Sequence, residues 1–105
     1  MTTNFCNSLR NRLNEYKNHV GLTYFKEYVT ETVEGNKFIK VFSVEIDHDG
    51  KPNRKHIVAF VDKKTGDIFK PASYKAPAKH ARGNVNSDQH GMEAINKSGF
   101  VNYLK

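Results

Sequence analysis

The chain has 105 residues, a formal charge of +6 and only 37% hydrophobic residues, which bounds it to one domain with one modest core. The lone Cys6 excludes an intramolecular disulfide and a Cys-based zinc site. No stretch nears the roughly 20 apolar residues that span a bilayer, and Met1 to Leu9 lacks a basic start followed by an apolar run, so a protein of the cytoplasm is expected, without a membrane partner.

Thr2, Thr3 and Asn4 offer N-cap side chains, and Phe5, Leu9, Leu13, Tyr16 and Val20 then recur at spacings of four and three. The spacing predicts a helix over residues 4–19, stopped by Gly21, with Arg10, Arg12, Asn14 and Lys17 on the opposite side. The apolar stripe reads as core rather than as a partner's docking face, because so short a chain has few other sources of buried area. Cys6 lies on that stripe and reads as a small buried hydrophobe.

Residues 24–33 alternate as a strand, with Phe25, Val29 and Val33 on one face and Tyr24, Tyr28, Thr30 and Thr32 on the other. Glu34-Gly35-Asn36 is a turn, and residues 37–46 form the next strand, with Phe38, Phe42, Val44 and Ile46 together and Ile39 and Val41 opposite. After the polar loop 47–53, residues 56–61 are apolar on both faces, as in a central strand. Residues 62–66 make another hairpin turn, 67–70 a short last strand, and Pro71 ends it by removing a ladder donor.

Beyond Pro71 the periodicity fades. Pro77 suits the first turn of a short helix over 78–82, stopped by Gly83 and Asn84, and Ser87 or Asp88 can cap a second helix through Met92, Ile95 and Asn96. Phe100, Tyr103 and Leu104 form a final apolar patch expected to dock on the sheet. The predicted fold is therefore α+β: an N-terminal helix packed on a four-stranded antiparallel meander, followed by an irregular basic C-terminal arm with short helices.

Charge singles out that arm. Residues 1–50 carry six Lys/Arg against seven Asp/Glu, a net of −1; residues 51–105 carry eleven against four, a net of +7. Ile68 to Ser87 runs twenty residues without an acid. It holds Lys70, Lys75, Lys79 and Arg82, with His80 and Tyr74 among them. Such a segment repels itself unless an anion balances it, so these six residues are the candidate anion-binding site. A helix after Pro77 would align Lys79 with Arg82, its free N–H groups would meet a phosphate, and Tyr74 would stack on a base. The competing reading packs Tyr74 and the alanines on the sheet and leaves the lysines in water.

Other chemistry is poorly supported. Asp47, His48 and Asp49 lie near His56, but the loop lacks the calcium-binding pattern, and Asp-rich turns arise for backbone reasons alone. Ser73, Ser87 and Ser98 sit in no nucleophile elbow. No catalytic residue, metal or cofactor is assigned, and the chain reads as a binding protein rather than an enzyme.

The run from Gly66 to Asn84, Gly-Asp-Ile-Phe-Lys-Pro-Ala-Ser-Tyr-Lys-Ala-Pro-Ala-Lys-His-Ala-Arg-Gly-Asn, resembles a C-terminal motif of small bacteriophage proteins. There an aromatic, often Trp, stands at the place of Tyr74, and chains often end in a pattern like Gly99…Tyr103-Leu104-Lys105. The resemblance covers about a fifth of the chain. It implies a phage accessory protein acting in the cytoplasm of a bacterial host, and no activity. The expected partner is nucleic acid; the alternatives are a host defence or transcription enzyme that the protein inhibits or modulates, and a small nucleotide that it sequesters.

Overall fold

Phe5, Cys6, Leu9 and Leu13 face inward from α1 (Thr3–Val20), one turn apart along a single stripe. The structure, a computed structural model, describes residues 2–101. Gly21 caps the helix in the left-handed region at φ 75°, and its N–H is donated to the Lys17 carbonyl, as a C-terminal glycine allows. At the other end Thr2 makes no side-chain cap. The buried stripe ends on Lys17 rather than Val20, which is 47% exposed, and Tyr16 is half-buried. Burying a Leu side chain here contributes about 1.5–3 kcal/mol, so Leu9 and Leu13 anchor the helix.

The sheet has five strands, not four, in the order β1-β2-β3-β4-β5, each antiparallel to the next. They are β1 (Glu27–Glu34), β2 (Phe38–Ile46), β3 (Pro52–Asp62), β4 (Asp67–Pro71) and β5 (Pro77–Asn84). The fifth strand replaces the helix expected over 78–82 and the irregular arm. Two register shifts interrupt its pairing with β4, and Pro71 sits opposite Pro77 where neither position has an N–H to offer. An edge strand tolerates that loss, and its Lys79 and His80 discourage pairing with another chain.

Ile39, Val41, Ala59, Val61 and Ile68 line the face beneath α1. Val85, Met92, Ala94, Ile95 and Val101 join the same cluster, so residues 85–101 return beside the helix on that side. They do so through turns and one short 3-10 helix (Met92–Ala94), not through the longer helix expected from Ser87 or Asp88. Gly91 makes the turn possible: its φ is +90°, and a Cβ there would lie 2.5 Å from Ile68 Cδ1 and 2.9 Å from Phe5 Cδ1. Phe100 stays 57% exposed; Tyr103 and Leu104, the rest of the expected terminal patch, lie outside the described residues.

The polar side of α1 does not simply face water. Asn14 donates from Nδ2 to the Tyr28 carbonyl at 3.0 Å and accepts the Tyr28 N–H through Oδ1 at 2.8 Å, the two bonds a neighbouring strand would make. Arg12 donates to the Ile95 carbonyl at 2.7 Å, and Arg10 pairs with Glu27 at 3.0 Å. The first three sites on the polar side thus latch the helix to β1 and to the returning segment.

Candidate functional site

Cross-strand partners share a face of a sheet and neighbours along a strand alternate, so the register fixes which side chains lie away from α1. One row runs Val33, Lys40, Phe60, Phe69, Ala81 from β1 to β5. Beside it run Glu31, Phe42 and Ile57, then Val29, Val44 and Lys55. Both α1 and the 85–101 segment bury their apolar residues on the opposite face, and no helix among the described residues covers this one.

Its rings are nonetheless enclosed. Phe42 and Phe60 are each 1% exposed. Phe38 meets Phe60 and Phe69 edge-on, with centroids 5.9 and 5.8 Å apart. The cover comes from long side chains whose stems lie on apolar surface while their charges stay wet. Lys55 Nζ stands 4.4 Å over the Phe42 ring and Lys37 Nζ 5.3 Å over Phe38. Lys40 Nζ sits over two rings, 5.8 Å from Phe60 and 4.7 Å from Tyr74.

Tyr74 belongs to the β4–β5 turn. Ser73 Oγ accepts the N–H groups of Lys75 and Ala76, both at 3.2 Å, and the Ala76 carbonyl accepts from Ala72 and Ser73. This closed loop presents the Tyr74 ring back over the sheet, 5.8 Å from Phe42, while leaving it 61% exposed. Tyr74 thus packs on the sheet, as one reading of the sequence expected, while more than half of it stays exposed.

The remaining candidates spread along the hairpin. Lys75 is exposed in the turn, Lys79 and His80 are exposed on β5, and Lys70 is half-buried on β4. Arg82 is the extra residue at the bulge between the Ile68–Gly83 and Phe69–Ala81 pairs, and it is half-buried. Its Nη1 donates to the carbonyl of His80 in its own strand, and its Nε is enclosed without an acceptor. The helical alignment of Lys79 with Arg82 is thus absent, and the Arg82 fork is folded back rather than presented for a bidentate grip.

Lys40, Lys55 and the phenylalanines of β2 were missed in the sequence as site residues. The signal was there: in a strand, Phe38, Lys40 and Phe42 share one face, and a lysine inside an apolar stripe marks a face without a covering layer. Charge differs across the sheet as well. The β1 edge carries Glu27, Glu31 and Glu34, each ion-paired, whereas the β5 edge carries Lys79, His80 and Arg82 and no acid. Lys55 is shared with Glu31 at 3.3 Å, but Lys40 enters no ion pair among the described residues.

The loop read as an unlikely metal site has a structural task. His48 Nε2 lies 2.8 Å from the Thr23 carbonyl and ties the β2–β3 turn to the segment before β1. Among the described residues no three His, Cys, Asp or Glu side chains converge as metal ligands, and no helix is long and apolar enough to cross a membrane.

Fold and site together define a helix-on-sheet protein whose uncovered face is a lysine-roofed aromatic platform. The chain belongs to the family of unknown function DUF7717, whose model matches residues 1–104. No curated protein and no solved structure matches it.

Proposed function

We propose that this protein binds nucleic acid, with unpaired bases stacking on Tyr74 and the phosphate backbone running along Lys40, Lys75 and Lys79. The observation that carries the reading is the Lys40 ammonium held 4.7 Å over a Tyr74 ring that is 61% exposed, with no acid among the described residues paired to it. Aromatic stacking accepts any base because every base has a π-face, and lysines supply the sequence-independent attraction to phosphate. A single strand suits the site better than a duplex, whose stacked bases would keep their faces from Tyr74. The acid-free β5 edge extends the positive surface beyond the platform. The likeness of the 66–84 run to phage proteins supports a setting in the bacterial cytoplasm.

The test is fluorescence anisotropy with labelled mixed-sequence single-stranded DNA and RNA at several salt concentrations. Binding should weaken with salt, and Lys40→Ala and Lys79→Ala should each flatten the log–log slope by about one. If the parent binds neither strand at about 0.1 M salt, where a Debye length is still about 10 Å, the reading fails, and a host protein becomes the expected partner.

A further inference from the structure

On the other side of the sheet, between α1, β1–β3 and the turn at residues 98–100, lies a cavity of about 140 Å³. Its lining includes Tyr16, Tyr28, Ser43, Glu45, His56 and Phe100. Glu45 is 4% exposed. Its Oε2 accepts a hydrogen bond from the Tyr24 hydroxyl at 3.2 Å, but its Oε1 is enclosed and has no donor among the described residues. No ion pair among the described residues reaches it; Lys17, on the helix above, has its Nζ 5.2 Å over the Phe25 ring instead.

A buried carboxylate oxygen without a donor or counter-charge is costly, so Glu45 calls for a partner beyond the described residues. Here the missing partner is cationic. The volume far exceeds the 10–15 Å³ or so that one water needs, so a small organic group fits. Three aromatic residues and a glutamate lining one cavity are a combination that attracts ammonium groups, through ring faces and charge together. Desolvation and then the Glu45 charge raise the pKa of the Tyr24 and Tyr28 phenols above the ordinary value.

We propose that this cavity binds an alkylammonium group, whose cation pairs with the Glu45 carboxylate and whose methyl or methylene groups rest on Tyr16, Tyr28 and Phe100. The group comes either as a free amine or as a lysine side chain presented by a protein. The site is on the opposite face from the Tyr74 platform and stands independently of nucleic-acid binding.

The experiment is a titration of isotope-labelled protein at constant ionic strength, followed by amide chemical shifts. The probes are choline, Nα-acetyl-lysine amide, and dimethylbutanol, the uncharged isostere of choline. Saturable shifts at Tyr28, Ser43, Glu45 and Gly99 are expected with one or both cations. Binding of choline assigns the site to free quaternary amines, and binding of the lysine amide alone assigns it to a protein side chain. Glu45→Gln should weaken that binding by about tenfold or more, as for removal of one partner of an enclosed charge pair. Equal binding of dimethylbutanol, or no saturable shift with either cation, overturns the proposal. That comparison uses the parent protein and holds even if Glu45→Gln fails to fold.

Discussion

The ring of Tyr74, at the tip of the β4–β5 turn, lies 5.8 Å from the ring of Phe42 in β2, and the Lys40 ammonium stands over Tyr74 beside it. A residue from the last hairpin therefore closes over the second strand, and the closure joins the sheet's lysines to those of the hairpin. Tyr74→Ala should reduce affinity for single-stranded nucleic acid by about 1–3 kcal/mol, the range for losing one stacked base. Tyr74→Phe should keep most of it. Because the ring also roofs Phe42, the Ala variant should lose stability as well, by about 0.5–1.5 kcal/mol. Anisotropy and a urea titration on the same samples separate the two effects; unchanged affinity in the Ala variant removes Tyr74 from the site.

Leu13 packs in the cluster shared by α1 and the sheet. Leu13→Ala should cost about 2–5 kcal/mol in a denaturant titration. Asn14→Ala, one residue on, removes both bonds to the Tyr28 backbone and should cost about 1–3 kcal/mol, because that N–H then lacks a partner. A loss below about half a kcal/mol at Asn14, the range of ordinary surface changes, would show that the latch is dispensable.

Gly91 is the residue on which the returning segment turns. Gly91→Ala places a methyl against Ile68 and Phe5 at a φ that L residues avoid, so both sterics and backbone strain oppose it. The expected loss is about 1–3 kcal/mol or more, read as a lower thermal midpoint. Gly50, also at positive φ, has open space around its Cβ direction and should tolerate Ala with a smaller loss.

Glu93 ties the 3-10 helix back to β5. Burial pushes its carboxyl pKa upward, yet hydrogen bonds from the Ser87 hydroxyl at 2.7 Å and the Asn84 N–H at 3.0 Å outweigh that and leave it below the ordinary value of 4.5. A folded-state pKa below the unfolded one gives stability that is present above the unfolded value and lost as pH falls through the folded one. The parent should therefore exceed Glu93→Gln in stability near neutral pH, and the gap should close as pH drops below 4.5. Denaturant midpoints of both proteins across that range check it; a gap that widens on acidification contradicts the assignment.

By itself the sequence determined the local elements that have strong periodicity. The α1 stripe of Phe5, Leu9 and Leu13, the Gly21 stop and the hairpin at 62–66 follow from 3.6-residue and two-residue repeats and from turn chemistry, all of which act within a few residues. It also located the charge, since Lys75, Lys79 and an acid-free run are matters of composition. Only the tertiary structure decided what residues 77–84 become. Proline, lysine and glycine there suit a short helix as well as a strand, and the free edge of β4 settles the matter by offering backbone partners that a lone helical turn lacks. The same holds for the site. Which face of β2 stays uncovered depends on where α1 and the 85–101 segment pack, and that is set by long-range burial. Lys40 meets Tyr74 because a hairpin 34 residues later folds across it, a relationship that no spacing along the chain encodes.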